Sequence, residues 1–417
     1  MSLITSLTRM WLTRTARPFT FENEYDQSLP FAECENLGLY VHIPFCKSIC
    51  NFCPYCKVRY SEELCNQYID ALIREIHLVG SQHTGRKQVT SLYFGGGTPA
   101  LAADRIQEII AALEEHFIIT EGIGLELHPD NVTVDVLQTL KRAGVTKISI
   151  GIQSFCDKYQ SILGRKQIDT ARLTHALAAV PFETVSMDFI FALPGQTYED
   201  LRSDIDTAFS LGANHVAIYP FIDFTFTESP VAAMPKKQKR ALLDAITQYC
   251  KSRGYSRSSI WTFSNEPEAN YSSMTRDNFL GFGCSATSLL EHQFKINTFD
   301  VGAYCERIAQ DRLPTSLTIR FTRRQRMIYW LFWTAYSTRV RVKDFEAFFG
   351  VPLKKAYGFE IWVAKRLGFI AEHDGTYEMT LKGAFYYHYY ESFYTLSYID
   401  KMWGIMRREA FPERIKL

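Results

Sequence analysis

The sequence predicts an α/β fold: a parallel sheet wrapped by helices, followed by a helical C-terminal unit. Three observations lead there. From residue 39 to about 253, short β-rich apolar runs alternate with amphipathic helical runs. Strands that are apolar throughout, with helices between them, belong to parallel βαβ units whose sheet is covered on both faces. The chemistry-bearing residues fall just after these strands, where parallel βα folds collect their sites. Past residue 315 the pattern changes to successive helices and a short β pair.

Taken in order, the strand candidates are 39–43, 91–94, 124–127, 147–151, 184–191 and 215–221. A helix candidate follows each: 62–80, 103–117, 132–143, 169–179, 198–211 and 235–253. Six such units are too few for an eight-stranded barrel, so a partial barrel or an open wound sheet is expected. Residues 254–314 are mixed and loop-rich. Residues 315–417 read as a separate unit, with helices over 323–336, 341–349 and 354–367. Gly368-Phe-Ile-Ala-Glu and Tyr377-Glu-Met-Thr-Leu then form a β-wing, and an aromatic helix spans about 384–401. Helices followed by a small wing look like a winged-helix unit. The domain expectation is 1–37 as an amphipathic extension, 38–253, 254–314 and 315–417.

A chain of 417 residues has room for two or three domains. Its net charge of +1 argues against a protein built to coat nucleic acid, and the late helices lack the dense basic stripe of a groove-binding helix. Ten cysteines are too sparse for a disulfide scaffold, and their clustering without a secretory signal points to a reducing, cytoplasmic setting. No apolar run reaches the roughly 18 residues needed to span a bilayer. Residues 1–21 carry Arg9, Arg14 and Arg17 and no acid, with Leu3, Leu7, Met10 and Trp11 at helical spacing. That segment reads as a helix docked on the protein, a membrane-surface helix or an organelle transit segment.

The most informative stretch is Tyr40-Val-His-Ile-Pro-Phe-Cys46-Lys-Ser-Ile-Cys50-Asn-Phe-Cys53-Pro-Tyr-Cys56-Lys57. Thiolates crowded onto one loop repel one another, so a metal centre must offset their charge. Three thiolates leave one iron of a four-iron cube open. A structural zinc is the competing reading, and Cys50, Cys53 and Cys56 form an alternative triad. Each further motif has a plainer reading beside the functional one. Gly95-Gly96-Gly97-Thr98-Pro99 is a tight turn or a close approach to a ligand. Glu126 and Asp188, acids between apolar neighbours, are structural acids or partners of a bound cation or ribose. Gln153 can bond a hydroxyl, and Arg165 can clamp a carboxylate. The late aromatics, among them Tyr386, Tyr390 and Phe393, pack a core or wall a flat, greasy substrate.

Cys-x3-Cys-x2-Cys with Phe52 before the third cysteine resembles the radical S-adenosylmethionine (SAM) signature. The preceding Tyr-x-His-Ile-Pro-Phe-Cys resembles the oxygen-independent coproporphyrinogen III oxidase family. The resemblance is strong over about 38–310 and loose over 315–400. It implies a partial six-unit (β/α) barrel with 254–314 capping the substrate side and a winged-helix-like lid. It implies a [4Fe–4S] cluster on Cys46, Cys50 and Cys53, its open iron chelating SAM. The implied cofactor-binding set is Tyr40, Phe52, Gly96, Gly97, Thr98, Glu126, Gln153, Arg165 and Asp188. Tyr55 and Cys56, close to the cluster, are the candidate proton or hydrogen-atom donors. One electron, from a reductant such as flavodoxin or ferredoxin, would cleave SAM to methionine and a 5′-deoxyadenosyl radical.

Departures from the pattern concern the substrate. Cys53-Pro-Tyr-Cys56-Lys57 replaces the Cys-Gly-Cys-Asn-Lys usual in decarboxylating members. Asn270-Tyr-Ser-Ser-Met-Thr-Arg replaces the His-Asn-x-x-Tyr-Trp segment of the haem-chaperone branch. His128 stands where Asn is common. Three functions therefore stay open. One is oxidation of a tetrapyrrole-like or other hydrophobic substrate with one SAM. Another is methyl or methylene transfer with two. The last is haem binding without turnover.

Overall fold

The structure, a computed structural model, describes residues 3–23, 28–227, 234–266 and 277–417. Six parallel strands lie side by side in chain order: β1 (Leu37–Ile43), β2 (Leu92–Gly96), β3 (Ile123–Leu127), β4 (Lys147–Gln153), β5 (Thr184–Phe191) and β6 (His215–Pro220). Six of the seven β1 residues are buried, which is why its sequence is apolar throughout rather than alternating. The crossover helices carry their own start signals. Ser61 accepts from the Leu64 N–H at the head of Glu62–Gly80, and Thr197 and Asp200 form a reciprocal capping box on Tyr198–Ser210.

The sheet does not stop at six strands. β7 (Asn278–Phe282) adds parallel to the free side of β1. Then β8 (Thr287–Leu290), β9 (Gln293–Asn297) and β10 (Thr315–Arg320) continue antiparallel. Strands Thr20–Glu22 and Arg414–Lys416 close that side. At the other side Thr262–Ser264 and Ser256–Arg257 pair onto β6. The fourteen strands run in linear order without returning on themselves, so the barrel is open. Two sequence expectations change here. Residues 278–297, read as loop-rich, hold three strands of the main sheet, and the boundary placed at 315 falls at the start of β10, a strand of that sheet. Both termini belong to the sheet as well, which local pattern could not reveal in strands of three residues.

The C-terminal unit carries helices Arg323–Tyr336, Val342–Phe349 and Leu353–Arg366 and a three-stranded sheet in which Thr376–Met379 pairs with Ile370–His373 and Arg339–Arg341. It has its own apolar cluster around Trp330, Phe345, Phe349 and Tyr357. The N-terminal helix Leu3–Thr13 docks on it: Trp11 meets Phe359 edge-on at 6.3 Å, and Arg14 bonds Glu360 at 2.6 Å. Leu3 and Leu7 remain exposed.

The aromatic helix Leu381–Tyr394 runs through a π turn at Thr395–Ile399 into Asp400–Met406. Asp400 anchors it to the loop after β6, accepting from Thr225 N–H at 2.8 Å and its hydroxyl at 2.7 Å. One face turns His388 and Trp403 to the barrel, against Trp261 and Phe224. The other face, with Tyr387, Tyr390 and Tyr394, lines an apolar cavity of about 450 Å³ shared with the N-terminal helix and the C-terminal unit. Of the three aromatics the sequence places on one face, only Tyr390 lines this cavity; Tyr386 is exposed beside Phe369, and Phe393 packs on Tyr389 at 4.6 Å. Among the described residues, no helix is long and apolar enough to cross a membrane.

Candidate active site at the strand ends

The cysteine loop leaves β1 at Pro44 and returns at Val58–Arg59, which pairs with Phe45–Cys46. Lys57 closes the turn by donating from Nζ to the Cys53 carbonyl at 2.5 Å. Cys46, Cys50 and Cys53 are half-buried along it. Burial pushes the Cys46 thiol up to about 11, with the charges of Cys53 and Cys50 adding to the rise, and burial also raises Cys53. Metal-free thiolates at Cys46 and Cys53 are therefore disfavoured here, and a cationic centre would reverse that cost. The sulfurs do not all lie within 4.8 Å of one another. A tetrahedral zinc with bonds of about 2.3 Å would draw them to about 3.8 Å apart, whereas a four-iron cube binds each thiolate at a separate corner. The three-thiolate donor set fits the cube. The alternative triad does not form, because Cys56 turns away to a buried position beside Cys284 and His42.

Gly95 to Thr98 press against the root of this loop. A Cβ on Gly97 would lie 2.6 Å from the Phe45 carbonyl oxygen and 2.8 Å from the Pro44 carbonyl carbon. Gly96 has φ +125°, a backbone state L side chains rarely adopt. The Gly97 N–H donates to Ile43 O at 2.9 Å, and Thr98 Oγ1 lies 3.8 Å from Cys46 Sγ. The glycines thus weld the second strand end to the cysteine loop.

Two acids face one another across the next strand ends. Glu126 accepts the Gly96 N–H at 3.2 Å, and burial pushes it up to about 7, with the Asp188 charge adding to the rise. Asp188 accepts from Ser149 at 2.8 Å and Ser186 at 3.2 Å, yet burial still lifts it to about 6. Neither acid has an ion-pair partner among the described residues. Tyr40 lies over Gly95 beside Glu126, and its hydroxyl is 3.0 Å from His42 Nδ1. Nearby, Arg165 donates to the Gly151 carbonyl and sits 5.7 Å over the Phe52 ring, while its buried Nε has no partner. Gln153 ends β4 with φ +72°, at a register shift against β5. Burial and the Arg165 charge hold His128 at about 4, neutral near pH 7, and its Nδ1 accepts from the Asp130 N–H at 3.2 Å. Two uncompensated acids and one underused guanidinium match a ligand that carries cationic groups and a carboxylate.

Tyr55 completes the site. Glu126, Cys53, Asp188 and Tyr336 surround it closely enough to raise its hydroxyl, after burial, well above the usual range. The side chain is nonetheless 55% exposed, so it faces a hollow. Trp403, 6.0 Å from Tyr55 and 6.4 Å from Phe224, forms the opposite wall. Arg407 bonds the Pro54 carbonyl and holds the end of the aromatic helix over the cysteine loop. The structure does not bring Cys56 into this hollow: it is 5% exposed and its thiol donates to Phe299 O at 3.1 Å. Residues 270–276 of the segment compared with the haem-chaperone motif lie outside the described residues.

Sequence reasoning missed Ser149 and Ser186, the hydroxyls that hold Asp188. Their signal was present, since Ser149 and Gly151 alternate along one strand, and Ser186 and Asp188 along the next, onto one face. It also missed Trp403 and Glu75. The latter is buried, and accepts from Tyr304 at 2.6 Å, Gly283 N–H at 2.7 Å and Asn297 at 3.2 Å.

Comparison with known proteins agrees with this geometry. Residues 40–208, which hold all of these strand ends up to Asp188, match the family model described as the radical SAM superfamily. Residues 40–208 carry a radical SAM domain. It is 27% identical over 292 residues to the heme chaperone HemW of Bacillus subtilis, covering 66% of this chain and 76% of that protein. It is 27% identical over 304 residues to the oxygen-independent coproporphyrinogen III oxidase of Pseudomonas aeruginosa, covering 64% of this chain and 65% of that one. Among solved structures, coproporphyrinogen III oxidase (HemN) from Escherichia coli superposes with a TM-score of 0.76 at 21% identity, over 93% of this chain and 98% of that one, so the two share a fold. The cysteine triad and both acids lie within the matched residues.

Proposed function

We propose that this chain is a radical SAM enzyme acting on a tetrapyrrole-like or comparably flat, hydrophobic substrate. Cys46, Cys50 and Cys53 would hold the [4Fe–4S] cluster. When bound, the cluster supplies the electron that cleaves SAM reductively to methionine and a 5′-deoxyadenosyl radical, with flavodoxin or ferredoxin as the class of donor. The chain's own residues bind and orient. Glu126 accepts the methionine ammonium, Arg165 turns toward its carboxylate, and Asp188, held by Ser149 and Ser186, accepts the ribose hydroxyls together with Gln153. Gly96, Gly97 and Thr98 let the cosubstrate approach the backbone, with Tyr40 and Phe52 flanking it. Trp403 and the aromatic helix close the hollow against water, and Tyr55 stands in it as the candidate proton or hydrogen-atom donor.

The observation that carries this reading is the Glu126–Asp188 pair, two half-buried acids raised to about 7 and about 6 with no ion-pair partner among the described residues. The test is to reduce the reconstituted protein anaerobically with SAM and a tetrapyrrole. Methionine and 5′-deoxyadenosine support the reading. S-adenosylhomocysteine formed alongside them would assign a transferase using two SAM molecules. The heme-chaperone relatives favour a second reading, haem binding without turnover. Tight haem binding with no SAM cleavage would establish it and remove the first.

A further inference from the structure

A second cluster of metal-binding side chains lies behind the cysteine loop and takes no part in the site described above. His42 is on β1, Cys56 is at the end of the cysteine loop, and Cys284 follows β7. All three are buried, and their ligand atoms lie within 4.8 Å of one another. We propose that His42 Nε2, Cys56 Sγ and Cys284 Sγ bind one divalent ion of the zinc class, separate from the iron–sulfur cluster.

The donor chemistry is that of zinc: two thiolates and an imidazole, with the fourth position left to an oxygen. Tetrahedral bonds of about 2.3 Å to sulfur and about 2.0 Å to nitrogen place donors about 3.5–3.8 Å apart, close to the grouping already present. The imidazole is oriented for it. Tyr40 Oη, 3.0 Å from Nδ1, can accept from an Nδ1–H, the outer-partner arrangement of metal-bound histidine, and Nε2, now 3.1 Å from the Cys56 carbonyl oxygen, would exchange that contact for the ion. Ser285 brings its hydroxyl 3.3 Å from Nε2. It does so from a left-handed backbone, φ +56°, unusual for serine and held by its N–H bonding Thr298 O at 2.7 Å. A divalent ion with two thiolates carries no net charge, which suits a site where Cys56 is 5% and Cys284 0% exposed. The neighbours fix both loops: the Tyr68 hydroxyl donates to His42 O at 2.7 Å and accepts the Cys284 N–H at 2.9 Å. A metal here would pin the end of the cysteine loop, three residues past Cys53, to the turn that follows β7 inside the sheet.

The test measures zinc, iron and sulfide in protein expressed with zinc supplied and reconstituted anaerobically with iron and sulfide. The expected result is about one zinc per chain beyond the cluster metal, with X-ray absorption at the zinc edge showing two sulfur neighbours at about 2.3 Å and one nitrogen at about 2.0 Å. Cys284→Ala and Cys56→Ala should lower zinc at least about tenfold while iron and sulfide stay at wild-type levels, which also reports an intact fold. Cys305→Ala, a half-buried thiol on helix Val301–Ala309, should change neither. The proposal is overturned by wild-type protein without zinc, by zinc that persists in Cys284→Ala, by zinc that departs with Cys46→Ala instead, or by a Cys56–Cys284 disulfide in anaerobically alkylated protein. None of these outcomes depends on SAM cleavage.

Discussion

Glu126→Gln separates two effects of one carboxylate. Near pH 8 the ligand-free protein holds Glu126 ionised although burial and Asp188 have raised it from 4.5 to about 7. At 1.36 kcal/mol per pH unit, that shift corresponds to about 3 kcal/mol of destabilisation, present above pH 7 and lost as pH falls towards 4.5, because the folded state binds the proton more tightly than the unfolded chain. Glutamine keeps an oxygen for the Gly96 N–H, 3.2 Å away in the parent, and removes the charge. The ligand-free variant should therefore melt about 3 °C higher at pH 8, with the gap closing towards pH 4.5. SAM binding should move the other way. A charge-assisted bond to the methionine ammonium contributes about 1.5–3 kcal/mol, so affinity at pH 8 should fall about 10- to 100-fold. In the parent, affinity should weaken as pH drops below 7, and in the variant much of that dependence should vanish. Differential scanning fluorimetry and anaerobic calorimetry across pH 5–8.5 read both arms. A variant that melts lower at pH 8 while binding SAM unchanged would refute the assignment of Glu126.

Other perturbations test the frame around this site. Gly97→Ala places a methyl group 2.6 Å from the Phe45 carbonyl oxygen, so the cysteine loop must shift; iron content after reconstitution should drop severalfold while circular dichroism stays near wild type. Glu75→Ala strips the acceptor from Tyr304, Gly283 and Asn297, and should cost about 3–5 kcal/mol in urea unfolding. Tyr55→Phe leaves the ring against Trp403 but removes the hydroxyl; substrate turnover should fall about tenfold or more with 5′-deoxyadenosine release retained, as product analysis under reducing conditions will show.

The parallel core was legible because its strands are buried on both faces. β1, apolar from Leu37 to Ile43 with only Tyr40 and His42 interrupting, cannot be mistaken for an alternating edge strand. The strands beyond it were not legible. β10 reads Thr-Ser-Leu-Thr-Ile-Arg, and its buried Thr315, Ser316 and Thr318 look like loop residues until the sheet covers them. β7 carries Gly281, whose Cβ would strike Thr287 O at 2.3 Å, so close packing of two strands required a residue that reads as a breaker. The cysteine triad is a local signal, readable from spacing alone without the fold. Cys56 was misplaced because local spacing puts it next to the cluster, whereas the pairing of Phe45–Cys46 with Val58–Arg59 turns it inward to Cys284, 228 positions away. Trp403 reaches the site only because Asp400 ties its helix to Thr225, a contact across 175 positions.

The most direct measurement is iron and sulfide content paired with SAM cleavage in anaerobically reconstituted protein. About four iron and four sulfide per chain, lost together in Cys46→Ala, Cys50→Ala or Cys53→Ala, with dithionite-dependent release of 5′-deoxyadenosine, is the predicted result. Protein that takes up no iron at these thiols, or holds a zinc ion on them instead, would contradict the account at its base.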